Sequence, residues 1–119
     1  MHLRKEEVTV AELLREEGYY TGHFGKWHLS KLGSNQPGPR DQGFDYTLGT
    51  DNNAKPNHRN PNNFVRNGEP AGEIEGYSCH IVVDETSDWL KSLQAENADD
   101  PFFACVWFHE PHTPIASDT

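Results

Sequence analysis

Apolar positions concentrate in the two flanks of the chain, and a long middle segment is poor in them. Of the 23 Leu, Ile, Val and Phe residues, only six lie between positions 30 and 76. In the first flank, a capping box begins at Thr9 and Gly18 supplies a left-handed stop, which predicts a helix over residues 10–17. The β-formers over residues 19–24 then predict a strand that ends at a glycine turn.

The second flank carries a helical pattern followed by a continuous apolar run. Ser78 can cap a helix over residues 79–94, whose apolar positions fall near one face. The run over residues 102–108 does not alternate, which is typical of a strand buried on both faces of a parallel sheet. We expect Trp89, Trp107 and the two phenylalanines that begin this run to be core residues. The order helix, strand, long loop, helix, strand predicts an α/β fold.

The middle segment, residues 30–76, has the composition of an ordered loop. It is dominated by Gly, Pro, Asn and Asp, with turn chemistry at residues 35–39, 60–63 and 67–68. Loops of this length are uncommon in compact domains and are usually functional or disordered. Three aromatic residues and many amide side chains favour order over a linker. We therefore expect one long, ordered excursion between the flanks.

Charge and composition exclude several classes of protein. A net charge of −9 argues against a nucleic-acid partner, because such binding needs clustered Lys and Arg. No window approaches about 18 apolar residues, so we expect no membrane span. The first residues also lack the apolar region of a signal peptide. Cys79 and Cys105 form neither a disulfide framework nor a redox motif, and the compartment is left open.

The densest chemical signal follows the first predicted strand, at Lys26 and His28. Alternation along an extended chain would project these two side chains to one side and Trp27 to the other. A cation beside an imidazole at the carboxyl end of a parallel strand is where α/β enzymes place their sites. A surface lysine and a histidine at a strand end would give the same spacing, so the pattern alone leaves both interpretations open.

Two further groups of residues suit binding. His109 and His112 follow the second predicted strand, and His112 would leave the sheet at the same edge as Lys26. The two histidines would also suit paired zinc ligands, although no third ligand is indicated, or loop hydrogen bonds. In the middle segment, Asn52 and Asn53 suit hydrogen bonds to sugar hydroxyls, yet asparagine is also an ordinary loop residue.

Three longer motifs follow one another along nearly the whole chain. The first is Thr9-Val10-Ala11-Glu12-Leu13-Leu14, then Gly18-Tyr19, then Phe24-Gly25-Lys26-Trp27-His28-Leu29. The second is Asp41-Gln42-Gly43-Phe44-Asp45 with Leu48-Gly49, and the third runs from Pro101-Phe102-Phe103 to Pro111-His112-Thr113-Pro114. Together they resemble the type I, formylglycine-dependent sulfatases. The Asn-rich stretch 52–67 is most similar to bacterial members of the arylsulfatase and N-acetylgalactosamine-6-sulfatase type.

The resemblance implies a fold, an activity and residue roles. The fold would be part of an alkaline-phosphatase-like α/β/α sandwich with a mainly parallel sheet. The activity would be hydrolysis of sulfate monoesters of carbohydrates or aryl alcohols. Lys26 matches the lysine that contacts the sulfate and the formylglycine, His28 matches the histidine that holds the formylglycine hydrate, and His112 matches the histidine near the leaving oxygen. The expected substrate-binding residues are Asn52, Asn53 and His109.

Some features of that family are absent from this sequence. Neither cysteine lies in the Cys/Ser-x-Pro-x-Arg motif of the nucleophile, the acidic pairs that hold calcium are missing, and Ser30 stands where many members have Gly. Residues 1–119 thus resemble an internal part of a longer catalytic domain, in which residues 30–76 line the active site. Calcium and formylglycine are expected only for the complete domain, which we expect to be periplasmic or secreted. The alternatives are a phosphatase or phosphodiesterase of the same superfamily and a non-catalytic carbohydrate-binding module.

Overall fold

The computed structural model describes residues 1–116, which contain two α-helices and five strands. Helix α1 spans Val10–Glu16 and helix α2 spans Ser78–Asn97. The strands are β1 (Tyr20–Lys26), β2 (Tyr46–Thr50), β3 (Val65–Arg66), β4 (Glu69–Pro70) and β5 (Phe102–Trp107), and a 3₁₀ turn covers Pro39–Gln42. Within this described part, no helix is both long enough and apolar enough to cross a membrane.

The five strands form one sheet in the order β4-β3-β2-β1-β5. Strand β1 is parallel to both of its neighbours, with Lys26 opposite Thr50 on β2 and Gly25 opposite Trp107 on β5. Strands β3 and β4 add an antiparallel hairpin at the other side. The predicted parallel arrangement is confirmed, and the carboxyl ends of β1, β2 and β5 therefore meet at one edge of the sheet.

The two helices cover opposite faces of this sheet. Alternation along β1 places Phe24 against α2, in an apolar cluster that includes Val82 and Trp89. On the other face, Trp27 packs with Ala11 of α1 in a second cluster. The chain therefore has the three layers of an α/β/α sandwich, and the predicted fold class is confirmed.

The middle segment is more structured than its composition predicts. Residues 30–76 are not one uninterrupted excursion, because they contain β2 and the hairpin β3–β4. The hairpin turn consists of Asn67 and Gly68, with φ angles of 50° and 89°. An Asn-Gly pair is suited to a two-residue turn in which both φ angles are positive. Strand β2 has only five residues between turn-forming segments, so its hydrophobic pattern is too short to predict.

Two predictions for the second flank are wrong. Strand β5 is an edge strand of the described sheet, because only β1 pairs with it, and it leaves Phe102 52% and Trp107 39% exposed. Helix α2 also begins one residue earlier than predicted, and its N-cap is Tyr77 rather than Ser78. The Ser78 hydroxyl donates a hydrogen bond to Glu110 instead of capping the helix.

Candidate active site

Lys26 is the last residue of β1, at the carboxyl edge of the sheet. The preceding Gly25 has a φ of 112°, and a Cβ there would lie 1.8 Å from the carbonyl oxygen of Trp107. Only glycine allows β1 and β5 to approach each other so closely at this point. The half-buried Lys26 side chain donates a hydrogen bond from Nζ to Oδ1 of Asn53, at 3.5 Å.

His28 leaves the strand differently from the prediction. Its φ is 53°, so the two-residue alternation does not continue past β1, and the His28 side chain is exposed whereas Lys26 is half-buried. The turn is fixed by two hydrogen bonds. The His28 amide donates to the Asp51 carbonyl at 2.7 Å, and the Trp27 indole N–H donates to Oγ of the buried Ser30 at 2.9 Å. These contacts hold His28 at the same edge as Lys26.

Asn53 connects Lys26 with the loop after β5. Its Nδ2 donates to the Thr113 carbonyl oxygen at 3.5 Å, while its Oδ1 accepts from Lys26. An ammonium group only donates and a carbonyl only accepts, so these partners determine the orientation of the amide. Nδ1 of His112 lies 2.6 Å from the same Thr113 oxygen and must carry a proton to donate to it. In the neutral ring, Nε2 of His112 therefore keeps a free lone pair.

The backbone at His112 is held by His58. The His58 side chain is 2% exposed, and its Nε2 donates to the His112 carbonyl oxygen at 2.5 Å. Its Nδ1 lies 3.3 Å from Oγ of Ser78, at the start of α2. In the sequence, His58 is marked only by its position in the amide-rich loop. Its partner, the His112 carbonyl oxygen, lies 54 residues away, so no local pattern reveals the contact.

Glu110 ties the same loop to the N-terminus of α2. Its Oε1 accepts hydrogen bonds from the Ser78 hydroxyl and, at 3.0 Å, from the Cys79 amide. Partial burial raises the pKa of the Glu110 carboxyl, but the hydrogen bonds from Ser78 and from backbone N–H groups outweigh burial and lower the pKa overall. Glu110 is therefore a carboxylate at neutral pH, at the end of the helix that favours negative charge.

His109 lies beneath the edge of the sheet rather than on it. Its side chain is 3% exposed, its ring packs on Phe64, and its Nε2 lies 2.7 Å from Oγ1 of Thr50. Thr50 donates its single hydroxyl proton to the Asn52 carbonyl oxygen at 2.6 Å, so His109 must donate from Nε2. Burial lowers the pKa of His109 to about 4, and the ring is neutral at pH 7. The predicted contact of His109 with substrate has no support in this geometry.

The predicted site residues differ in exposure: His109 is buried, and the others are exposed or half-buried. Lys26, Asn53 and His112 are joined by hydrogen bonds through the Thr113 carbonyl. Exposed His28 follows β1 at the same edge, and exposed Asn52 adjoins Asn53. The alternative of a zinc site gains no support, because within residues 1–116 no three His, Cys, Asp or Glu side chains gather as metal ligands. An ammonium, two imidazoles and an amide at one edge can bind and orient an anionic group.

Comparisons with known proteins agree on one family. Residues 2–119 match the Sulfatase family. The chain is 34% identical over 123 residues to the ulvan-active sulfatase of Formosa agariphila, covering 98% of this chain and 22% of that protein. It is 30% identical over 132 residues to arylsulfatase A of Homo sapiens, covering 92% of this chain and 25% of that protein.

The solved structure of Ps i-CgsB in complex with k-i-k-neocarrahexaose has a similar fold. It matches 96% of this chain with a TM-score of 0.77 and 25% sequence identity, and the match covers 29% of that structure. The chain spans only 22% of the length of the ulvan-active sulfatase and 25% of the length of arylsulfatase A. Its three layers and mainly parallel sheet agree with the alkaline-phosphatase-like fold of sulfatases. With a family match over nearly its whole length, the chain belongs to the sulfatase family.

Proposed function

We propose that this chain forms the sulfate-binding edge of a domain that hydrolyses sulfate esters. The proposal depends on one observation, the hydrogen-bonded path from Lys26 through Asn53 and the Thr113 carbonyl to His112. The path joins three separate parts of the chain at the carboxyl edge of parallel strands, where α/β sheets bind ligands. Because the chain spans only part of its relatives, the activity proposed is that of a complete domain containing it.

In this proposal Lys26 contacts the sulfate group. Its ammonium has three donors and, within residues 1–116, a single acceptor, Asn53 Oδ1 at 3.5 Å, which leaves donors for sulfate oxygens. A preorganised cation that faces developing negative charge is usually the largest single contribution to catalysis. His28 is exposed on the adjoining turn, where it would hold the nucleophile that the complete domain supplies.

His112 faces the leaving oxygen of the ester. Since its Nδ1 donates to the Thr113 carbonyl, Nε2 is the ring atom available to substrate. When Nε2 is protonated, it donates a hydrogen bond to the leaving oxygen as the bond between sulfur and that oxygen breaks. The hydrogen bonds of His58 and Glu110 fix the backbone on which the His112 ring is carried.

Calcium and a formylglycine nucleophile are general features of sulfatases, but residues 1–116 fit neither. The absence of a gathered metal-ligand set in this part of the chain gives calcium no site here. Cys79 and Cys105 are free thiols, and burial raises the pKa of both. Neither cysteine lies in a Cys/Ser-x-Pro-x-Arg motif, so neither fits the position of the nucleophile. No step of the proposal therefore uses a metal or a nucleophile from the described residues.

The substrate class that we propose is a sulfated carbohydrate. One relative is an ulvan-active sulfatase, and one similar structure holds k-i-k-neocarrahexaose, an oligosaccharide. In this chain, Asn52 is exposed and Asn53 adjoins the Lys26 ammonium, so amide groups border the anion site. Amides that donate and accept suit the hydroxyl groups around a sulfate ester.

The test is the substrate selectivity of a sulfatase domain that contains this segment. We expect kcat/KM for an aryl sulfate to exceed that for the aryl phosphate with the same leaving group. With a sulfated oligosaccharide, Asn53→Ala should lower kcat/KM by about 2- to 10-fold, the range for an ordinary hydrogen bond, because both contacts of this amide are long at 3.5 Å. Asn62→Ala, at an exposed position, is the matched control. Preference for the phosphate, or equal effects of the two variants, would contradict the proposal.

A further inference from the structure

A histidine with no assigned role is completely buried directly beneath the site. His23 lies in the middle of β1 with no exposed surface. Its Nε2 lies 3.3 Å from the carbonyl oxygen of Lys26, and its Nδ1 lies 3.1 Å from Oγ1 of Thr47. The ring therefore spans from β2 to the residue that carries the proposed sulfate-binding ammonium.

The partners of His23 determine its tautomer. The Lys26 carbonyl can only accept, so Nε2 of His23 must carry a proton and donate it. In the neutral ring, Nδ1 then accepts from the Thr47 hydroxyl. Both ring nitrogens are satisfied by the neutral ring, and no further partner is needed.

The surroundings of the ring are built to hold it neutral. The rings of Trp27, Phe44 and Trp107 lie with centroids 5.1, 5.7 and 5.0 Å from that of His23. A Cβ at Gly49 would come within 2.9 Å of Cε1 of His23, so glycine leaves the room that the ring occupies. Burial lowers the pKa of His23 to about 4, and the ring is uncharged at pH 7.

The hydrogen bond from His23 completes a clamp on one peptide unit. The carbonyl of Lys26 and the amide of Trp27 belong to the same planar group. His23 holds the oxygen of this group, and the Trp27 amide donates to the Thr50 carbonyl at 2.9 Å. Hydrogen bonds at both ends restrain the rotation of this peptide unit, which sets the direction in which the chain leaves β1 between Lys26 and His28.

We propose that His23 is a positioning residue, which fixes the peptide after Lys26 and so aims Lys26 and His28 at the anion. The clamp itself is a property of this chain, and only its catalytic consequence rests on the proposed function. His23 touches neither substrate nor the reacting atoms. Its role is to remove the rotational freedom of the peptide that joins the two site residues.

A matched pair of variants separates this role from general packing. In His23→Gln, the side-chain NH₂ extends about as far as Nε2 of histidine and can still donate to the Lys26 carbonyl. In His23→Asn, the shorter amide reaches about as far as Nδ1, so it can contact Thr47 but not Lys26. Both variants replace the ring by an amide, but only His23→Gln can keep the hydrogen bond to the Lys26 carbonyl that the proposal requires.

Hydrogen exchange of the Trp27 amide in the 119-residue chain tests the clamp without any substrate. We expect the Trp27 amide to exchange about 5- to 150-fold faster in His23→Asn, the range for leaving one buried carbonyl unsatisfied. In His23→Gln the Trp27 amide should exchange at close to the wild-type rate. The exchange rate of the Trp89 amide in α2 is the reference for global stability. Nitrogen NMR of the wild type should show a neutral ring protonated on Nε2 at pH 7. An Nδ1-protonated or charged ring, or equal exchange in the two variants, overturns the proposal.

Turnover by a sulfatase domain that contains this segment then tests the catalytic consequence. His23→Asn should lower kcat for an aryl sulfate more than it raises KM, and His23→Gln should restore kcat. If the exchange results hold but the wild-type domain does not hydrolyse sulfate esters, the proposed function fails while the clamp stands. If the wild-type domain is active and His23→Asn leaves kcat unchanged, the positioning role fails by itself.

Discussion

Replacing Glu110 by Gln removes one charge from the N-terminus of α2 and preserves the size of the side chain. The carboxylate accepts from the Ser78 hydroxyl and from the Cys79 amide at 3.0 Å. A negative charge at a helix N-terminus contributes about 0.3–1 kcal/mol, and up to about 2 kcal/mol where it is partly buried. Hydrogen bonds to a charged group are also roughly twice as strong as neutral ones. We therefore expect Glu110→Gln to lower the free energy of unfolding by about 1–2 kcal/mol at pH 7.

The pH dependence of this loss follows from the direction of the pKa shift. The folded-state pKa of Glu110 lies below its ordinary value of 4.5, so the unfolded state binds the proton at higher pH than the folded state does. Its contribution to stability is therefore complete above about pH 4.5 and is lost as the pH falls through the folded-state pKa. The difference between wild type and Glu110→Gln should shrink between pH 5 and pH 3.

Urea denaturation of the 119-residue chain measures both effects. With a slope of about 1–3 kcal/mol per molar urea, the expected loss corresponds to a midpoint shift of about 0.3–2 M at pH 7. Glu75→Gln, at an exposed position in the loop before α2, is the matched charge control and should shift the midpoint much less. The reasoning is refuted if the two variants behave alike at pH 7, or if the loss in Glu110→Gln is undiminished at pH 3.

Three other predictions concern the glycine contact, the buried histidines and the isolated chain. Gly25→Ala should destabilise the chain far more than Gly18→Ala in urea denaturation. Both glycines have positive φ, but only a Cβ at Gly25 would lie 1.8 Å from a backbone atom, the Trp107 carbonyl oxygen. Equal losses of stability in the two variants would contradict this. Burial lowers the pKa of both His23 and His109 from 6.5 to about 4, so the unfolded state binds more protons between these values. The urea midpoint should therefore fall as pH drops from about 6.5 to 4, and a flat profile would count against the buried neutral rings. The 119-residue chain alone should hydrolyse no chromogenic aryl sulfate above a Lys26→Ala control, and measurable turnover would disprove this.

The sequence predicts those elements whose signals are long or local. Helix α1 follows from the capping box at Thr9, whose side chain accepts from the Glu12 amide as expected. Strand β1 and helix α2 have patterns long enough to recognise, and the parallel pairing of β1 with β5 follows from chain order. Strand β2 is missed because five residues among turn formers carry too little periodicity. The edge position of β5 is missed because an apolar run does not reveal how many neighbours a strand has.

The candidate site is predictable only in part for the same reason. Lys26, His28 and His112 stand next to strand ends, and strand ends can be located from sequence. His58 and Glu110 act on partners more than 30 positions away, and such pairings have no local pattern. His23 did leave a signal, a titratable residue in the middle of an otherwise core strand, from which a buried, hydrogen-bonded ring could have been predicted.

The most direct test of the sulfate-binding edge compares two lysines in a sulfatase domain that contains this segment. Lys26 is half-buried and bound to Asn53, whereas Lys31 is exposed on the following loop. Lys26→Ala should lower kcat for an aryl sulfate by about 10²–10³-fold, the usual loss for one preorganised charge contact. Lys31→Ala removes the same charge and should change kcat by no more than about twofold, as expected for a surface substitution. Equal, small effects of the two variants would contradict the assignment of this edge as the sulfate site.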